Sequence, residues 1–213
     1  MTLSESKKLI RDGESQYVEF KTKIRYPEKV VRELVAFANT EGGHLFVGVS
    51  DLGELIGLKY PKEEDFILGK AICELIKPKI TFEFDDILLD DNKSLLHYHV
   101  HKSSIKPHFA LLKKTHKWGK AYVRVKDRSV QASKELRKIM KYENKESKSF
   151  QVGAQERLFF KFLDNNPLMT LRDFSEATNI RIKEASEIVV RLASSHVIKV
   201  IPSDKQDHYV FNQ

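Results

Sequence analysis

The chain has 213 residues, 41% hydrophobic and 31% charged, with a formal net charge of +7. That length and balance describe one large or two small domains of ordinary soluble composition. The single cysteine, Cys73, excludes an intrachain disulfide framework and a thiolate metal site. With no apolar run long enough for a membrane span or signal peptide, a reducing, cytoplasmic setting is expected.

Residues 1–13 pattern as a short amphipathic helix anchored by Leu3, Leu9 and Ile10. Gln16 to Lys23 alternates as a strand, with Val18 and Phe20 on one face and Glu19 and Lys21 on the other. Pro27 suits a first helical position, and Val30, Val31, Leu34, Val35 and Ala38 form the stripe that follows. Gly42 and Gly43 stop that helix, because glycine takes positive φ without steric cost. His44 to Val49 reads as a strand, Asp51 to Gly53 as a turn and Glu54 to Leu58 as another strand.

Those residues spell E-S-x-x-V-E-F-K from Glu14 and A-F-A-N-T-x-G-G-x-L-x-V-G-V-x-D-x-G-x-x-x-G-L from Ala36. The pattern resembles the Schlafen AlbA-like domain, with weaker likeness at Lys106-Pro107 and a clearer one from Ala121 to Arg124, about residues 5–140 in all. The resemblance implies a nucleic-acid-binding domain whose bacterial members are described as divergent ATPases or transcriptional regulators. In Schlafen-type ribonucleases of this kind, two glutamates and an aspartate form the catalytic triad. The matching positions here are Glu14, Glu19 and Asp51. Those ribonucleases resemble a clamp of two such modules, whereas this chain has one, so a homodimer would have to supply the second.

Further along, Tyr60 to Asp65 is a turn-rich link and Phe66 to Ile76 a helix ended by Pro78. Ile80 to Leu89 and Leu95 to His101 form a hairpin around the Asp90–Lys93 turn. His97, His99 and His101 share one face of the second strand. Such a row can bind zinc, but is more often a polar face, here placed to line a basic groove. Residues 106–120 are an irregular basic loop, Ala121 to Lys126 the last strand of the domain and Ser133 to Tyr142 a closing helix. Glu143 to Ser149 reads as a linker. Helices at Gln155–Leu163, Leu171–Ala177 and Lys183–Ser194, then strands at Val197–Ile201 and His208–Phe211, follow the winged-helix order. The expected architecture is α+β: an AlbA-like Schlafen domain, a mixed sheet with helices, over 1–143, a linker at 144–149 and a winged helix over 150–213.

Charge is unevenly placed. Residues 1–92 hold 13 Lys/Arg against 18 Asp/Glu, residues 93–145 hold 15 against 3, and residues 146–213 hold 9 of each. A block of +12 draws polyanions and releases counterions on binding, although a solvated basic face serving solubility has the same composition. The block interleaves lysines with Trp118, Tyr122, His108 and His116, which favours nucleic acid. Its candidate contacts are Lys113, Lys114, Lys117, Lys120, Tyr122, Arg124, Lys126 and Arg128, with Tyr122, Arg124 and Lys126 on one strand face. Lysines act as point charges on phosphates, so they predict affinity with little base specificity. In the winged helix the candidates are Arg181, Lys183 and Arg191.

Three carboxylates, Glu14, Glu19 and Asp51, with Lys21, converge if the strands carrying Glu19 and Asp51 are neighbours. Such oxygens suit Mg²⁺ or Mn²⁺ and activation of water against a phosphodiester. Capping of turns by Glu14 and Asp51, and pairing of Glu19 with lysine, would use the same residues structurally. Nucleotide hydrolysis by a Walker mechanism is excluded. The Gly69-Lys70 and Gly119-Lys120 pairs are each followed by alanine, and neither has glycine five residues before its own glycine. The reading is a DNA-binding transcriptional regulator, with DNA ahead of RNA, a homodimer, no membrane, no nucleotide cofactor and no cofactor required for binding. The alternative is a metal-dependent nuclease, with RNA ahead of DNA, using Glu14, Glu19 and Asp51 with Lys21 and Mg²⁺ or Mn²⁺. A third possibility is a scaffold that binds a protein partner through the winged helix.

Overall fold

Helix α1 (Leu3–Arg11) opens the chain, its first turn closed by a capping box between Thr2 and Glu5. There follow β1 (Val18–Lys21), α2 (Pro27–Asn39), β2 (Gly43–Val47), α3 (Pro61–Leu75), β3 (Ile76–Lys77), β4 (Phe82–Leu88), β5 (Ser94–Val100), β6 (Phe109–Ala110), β7 (Tyr122–Val125) and β8 (Arg128–Gln131). The structure, a computed structural model, describes residues 1–89, 92–143 and 153–212. The fold is mixed α+β and divides into two units, Met1–Val130 and Gln131–Gln213.

The first unit is built on a four-stranded sheet of order β1-β2-β5-β4, in which β1 and β2 are parallel and the other pairs antiparallel. The register sets Leu45 and Val47 of β2 beside Tyr98 and Leu96 of β5. These side chains join Val31, Leu34, Val35 and Phe37 of α2 and Leu68 and Ile72 of α3 in the larger core. The opposite face carries Val18, Phe20, Phe46, Leu95 and Ile87, covered by Ile10 with Leu3 and Leu9 of α1. Burial of these apolar faces is the main stabilising term. The same outer face continues into polar rows. His44 pairs in register with His99, and His97 with Asp85. His44 Nδ1 lies 2.9 Å from His97 Nε2, and His97 Nδ1 lies 2.9 Å from Asp85 Oδ2.

The C-terminal end of α2 is fastened by Asn39, which is buried. Its Nδ2 donates to the carbonyls of His108, at 3.0 Å, and Tyr122, at 2.9 Å, while its Oδ1 accepts from the His108 amide at 2.7 Å. Thr40 Oγ1 accepts from the Arg124 amide at 2.9 Å. Next, Gly42 has φ +81, and a Cβ there would lie 2.7 Å from the Val100 carbonyl oxygen; one on Gly43 would lie 2.3 Å from the Phe37 ring. The Asn-Thr-x-Gly-Gly element thus ties helix, sheet and the β6–β7 region together through groups that only those residue types supply.

The second unit contains α4 (Lys134–Tyr142), α5 (Ala154–Asn165), β9 (Met169–Thr170), α6 (Leu171–Thr178), α7 (Ile182–Ser194), β10 (Ile198–Ile201) and β11 (His208–Phe211). Its sheet has the order β10-β11-β9. Phe159, Leu163, Phe174, Ile188, Val189, Leu192 and Tyr209 form its core. Thr170 and Asp173 make the capping box of α6, and Asn179, with φ 52, ends that helix in the left-handed region that asparagine tolerates.

Several elements differ from the sequence expectation. Glu54 to Leu58 is not a strand; Leu55 and Leu58 make only isolated bridges, to Val49 and Ser94. Helix α3 starts at Pro61 rather than Phe66 because Pro61 takes its first position. The basic loop contains β6, paired with β3, and the Ala121–Lys126 strand is followed by a partner, β8. Helix α4, expected to close the first domain, lies in the second unit, where Ser186 of α7 donates to Glu135 at 2.6 Å and Ile139 packs on the second core. The expected linker at 144–149, and Asp90 and Asp91 of the hairpin turn, lie outside the described residues.

Two expectations follow. Asn39→Ala leaves the His108 amide and two carbonyls without their partner and should destabilise the first unit by about 3 kcal/mol, read as a lower urea midpoint; an unchanged midpoint would remove Asn39 from its fastening role. His44 is held below its ordinary pKa, to about 4, by burial first and then by His99 and His97. In the unfolded chain it protonates near 6.5. As pH falls from about 6.5 to about 4, the unfolded state takes up a proton that the native state refuses, so stability declines across that window. In an NMR titration the His44 ring should stay neutral at pH 5, and an inflection near pH 6 would contradict this.

Candidate functional site

Along β1, Glu19 and Lys21 face opposite to Phe20 and so point to the side of the sheet where α2 packs. The parallel pairing of β1 with β2 sets Glu19 beside Leu45 and Lys21 beside Val47. Glu19 is 6% exposed and Arg124, reaching in from β7, is 4% exposed. Arg124 Nη1 donates to Glu19 Oε2 at 3.0 Å, to Glu33 Oε2 at 2.6 Å and to Ser129 Oγ at 3.3 Å, while Nη2 donates to the Ser15 carbonyl at 2.7 Å. Its guanidinium also stands 4.9 Å over the centre of the Phe37 ring. Glu19 Oε1 pairs with Lys21, and Ser129 with Glu33. Burial pushes the Glu33 carboxyl above its ordinary pKa and the Glu19 charge adds to this, with the Ser129 and Arg124 contacts opposing.

Arg124 was expected on a surface shared with Tyr122 and Lys126, and that placement is corrected. The Tyr122–Arg124 face turns in toward α2, and Lys126 lies in the β7–β8 turn with φ 57. Arg124 is a buried ion-pair centre and is unavailable to phosphate. Sequence reading missed Glu33 and Ser129, its partners; a glutamate on the helix face of Val30 and Leu34 was the available signal.

The three carboxylates of the nuclease expectation occupy one neighbourhood. Glu14 Oε1 accepts the Phe20 amide at 2.9 Å. Its carboxyl is raised above the ordinary range, by burial first, with the Phe20 N–H lowering it, Glu19 raising it, Lys21 lowering it and Asp51 raising it. Asp51 is exposed in the turn after β2. The oxygens of Glu14, Glu19 and Asp51 do not gather within 4.8 Å of one another; among the described residues only Glu83, His99 and His101 do so. Both oxygens of Glu19 are already engaged, one by Lys21 and one by Arg124. A divalent cation needs free carboxylate oxygens at 2.0–2.6 Å, roughly, around one point. This arrangement does not fit Mg²⁺ or Mn²⁺.

The remaining cations lie on the outside. Lys113, Lys117, Lys120, Lys126 and Arg128 are exposed, and Lys114 is exposed and paired with Glu74 at 3.0 Å. Trp118 is 87% exposed. It lines a cleft of about 310 Å³ with Arg32, His116, Lys120 and Tyr122. Arg32, absent from the sequence-based set, stands 5.8 Å over the Tyr122 ring. The open Trp118 ring, with a histidine and two cations around one cleft, can stack a base and contact its phosphate, while Tyr122 forms the inner wall.

In the second unit Arg181 and Lys183 are exposed at the start of α7, where Arg181 pairs with Glu184. Arg191 pairs with the buried Glu156 of α5 while its side chain stays 51% exposed. Helix α4 adds Lys134, Arg137, Lys138 and Lys141 at i, i+3, i+4 and i+7, one helical stripe. With them the second unit holds 14 Lys/Arg against 11 Asp/Glu, net +3, although residues 146–213 alone are neutral.

A family model described as Schlafen, AlbA_2 matches residues 14–133. Among solved structures, the N-terminal domain of a protein described as ATP-dependent DNA helicase RecG-related, from Nitrosomonas europaea, is similar over 58% of this chain and 88% of its own length, at 21% identity and TM-score 0.43. The DIP2311 protein from Corynebacterium diphtheriae is similar over 74% of this chain and 27% of its own length, at 20% identity and TM-score 0.39.

Removing the central guanidinium leaves the partly buried Glu33 without its cation and the buried Glu19 with Lys21 alone. Arg124→Met should therefore cost about 3–5 kcal/mol in urea unfolding, and adding Glu19→Gln and Glu33→Gln should restore much of it. A loss under about 1 kcal/mol, the size of an exposed pair, would show that the network is peripheral to the fold.

Proposed function

The chain belongs to the Schlafen AlbA_2 family, and from that premise we propose that it is a nucleic-acid-binding protein, a transcriptional regulator that contacts DNA. The observation that carries this reading is the exposed Trp118 cleft, lined also by Arg32, His116 and Lys120, with Lys113 and Lys117 exposed on the same loop. An apolar ring left 87% exposed beside lysines is of little use to folding and well suited to base stacking with phosphate contact. These groups track a backbone and stack any base, so they supply affinity more than sequence choice. We read the second unit as a winged helix on its order of helices and its β9-β11-β10 sheet, with the start of α7 as its reader. A homodimer would present two copies of both surfaces.

A nuclease reading keeps one observation in its favour, the shared neighbourhood of Glu14 before β1, Glu19 and Lys21 on β1 and Asp51 in the turn after β2. Against it, Glu19 is held by two cations. Phosphodiester cleavage therefore ranks behind binding.

Fluorescence anisotropy with single-stranded DNA, duplex DNA and RNA across a salt series tests both readings. Trp118→Ala should weaken single-strand binding by about 1–3 kcal/mol. Replacing Lys113, Lys117 and Lys120 by alanine should reduce the log–log salt slope by about 2–3. Binding that ignores salt, or is unchanged in both variants, would refute this surface. Parallel incubation with Mn²⁺ or EDTA, beside Asp51→Asn, decides the chemistry. Metal-dependent cleavage lost in that variant promotes the nuclease, and intact substrate with salt-sensitive binding favours the regulator.

A further inference from the structure

The outer face of the first sheet is only partly covered by α1, and at its edge a second constellation stands open. The register places Glu83 of β4 opposite His99 of β5. His101 follows two residues later on the same face, its backbone N–H bonded to the Thr81 carbonyl at 3.0 Å. His101 Nε2 lies 3.3 Å from Glu83 Oε1, and His99 Nδ1 lies 3.7 Å from Glu83 Oε2. The candidate ligand atoms of the three residues all lie within 4.8 Å of one another. His99 is further fixed by the His44 ring, stacked at 4.4 Å.

A tetrahedral zinc ion with bonds of about 2.0–2.1 Å to nitrogen and oxygen keeps its donors about 3.3 Å apart. The His101–Glu83 separation of 3.3 Å matches that value, the His99 contact at 3.7 Å to the other carboxylate oxygen is longer, and one ligand atom from each residue lies within 4.8 Å of the others, so side-chain rotations are needed to bring the donors onto one centre. Two imidazoles and a carboxylate are a borderline nitrogen–oxygen set. They suit Zn²⁺ and its neighbours over Mg²⁺ or Ca²⁺, which prefer oxygen throughout. The contrast with Glu19 is instructive: Glu19 is neutralised by lysine and arginine, whereas Glu83 pairs with the two histidines, which are ligands when neutral. The side chains are also reachable, at 33% exposed for His99 and 38% for His101.

We propose that Glu83, His99 and His101 bind a zinc ion, with water in the fourth position. The ion clips the edge strand β4 and the end of β5 together, where the sheet order leaves β4 with a single neighbour. This site is separate from the Trp118 cleft and from the Arg124 network, and it does not depend on the regulator reading.

The test uses the full chain without an affinity tag, in a Cys73→Ser background so that the exposed thiol cannot compete. Co²⁺, which takes zinc geometry and absorbs visible light, is titrated in and then displaced with Zn²⁺. The expected result is saturation by a single Co²⁺ with a four- or five-coordinate spectrum, and full displacement by Zn²⁺. Zn²⁺ alone should raise the Tm by several degrees through preferential binding to the native state. His99→Ala and His101→Ala should abolish the spectrum and the Tm shift, and Glu83→Gln should weaken both strongly. All three substitutions are at accessible positions, and their urea midpoints without metal should match the parent. No Co²⁺ spectrum and no Tm shift in the parent would overturn the proposal. So would unchanged affinity in any of the three variants, which would place the metal elsewhere.

Discussion

The first unit depends on the burial of one guanidinium. Arg124 has its side chain fully enclosed and reaches Glu19 on β1, Glu33 on α2, Ser129 after the β7–β8 turn and the carbonyl of Ser15 before β1. Four separate stretches of chain therefore meet at one cation. Desolvating such a charge is expensive, and the arrangement persists because two carboxylates and a carbonyl share the positive end. Arginine suits this role because its planar fork holds several acceptors at once and never loses its proton. With Lys21 on the other oxygen of Glu19, the group balances two cations against two carboxylates. The raised Glu33 shows the remaining cost of burial beside Glu19.

Around this centre the family signature becomes intelligible as structure. Asn39 satisfies two carbonyls and an amide that would otherwise be buried alone, Thr40 caps the Arg124 amide, and Gly42 and Gly43 lie where any Cβ would meet backbone or the Phe37 ring. The motif was legible in the sequence because these demands fix residue identity. Strand alternation was equally legible, since period two is set by the pleat. What alternation could not say is which face lies under another element. Tyr122 and Arg124 share a face, as expected, but α2 covers it, and that depends on a tertiary contact rather than local pattern. Strands β3, β6 and β9, of two residues each, are too short for any period to register. Strand β8 follows a tight turn at Lys126, a residue with no glycine-like signal for its positive φ.

The basic block shows the same limit from another side. Read along the chain it is one run of positive charge, but in space it is shared between the units. Lys93 to Arg128 belong with the sheet and Lys134 to Lys141 with the second core. The second unit, neutral by the linker-based division, thereby acquires a basic helical stripe on α4. Charge counting locates the excess of positive charge along the chain; only packing assigns it to surfaces.

The two carboxylate constellations then separate by what already holds them. A carboxylate acts on a metal or a proton only if it can exchange partners during a reaction. Glu19 is enclosed, with each oxygen committed to a cation, and releasing it would uncover the guanidinium on which four segments converge. Its position in the signature is explained by folding before any chemistry is asked of it. Glu83, by contrast, is on an edge strand, 69% exposed, and its neighbours are imidazoles, which ligate metals when neutral. The sequence motif draws attention to the first group, and the physical freedom to bind an ion belongs to the second.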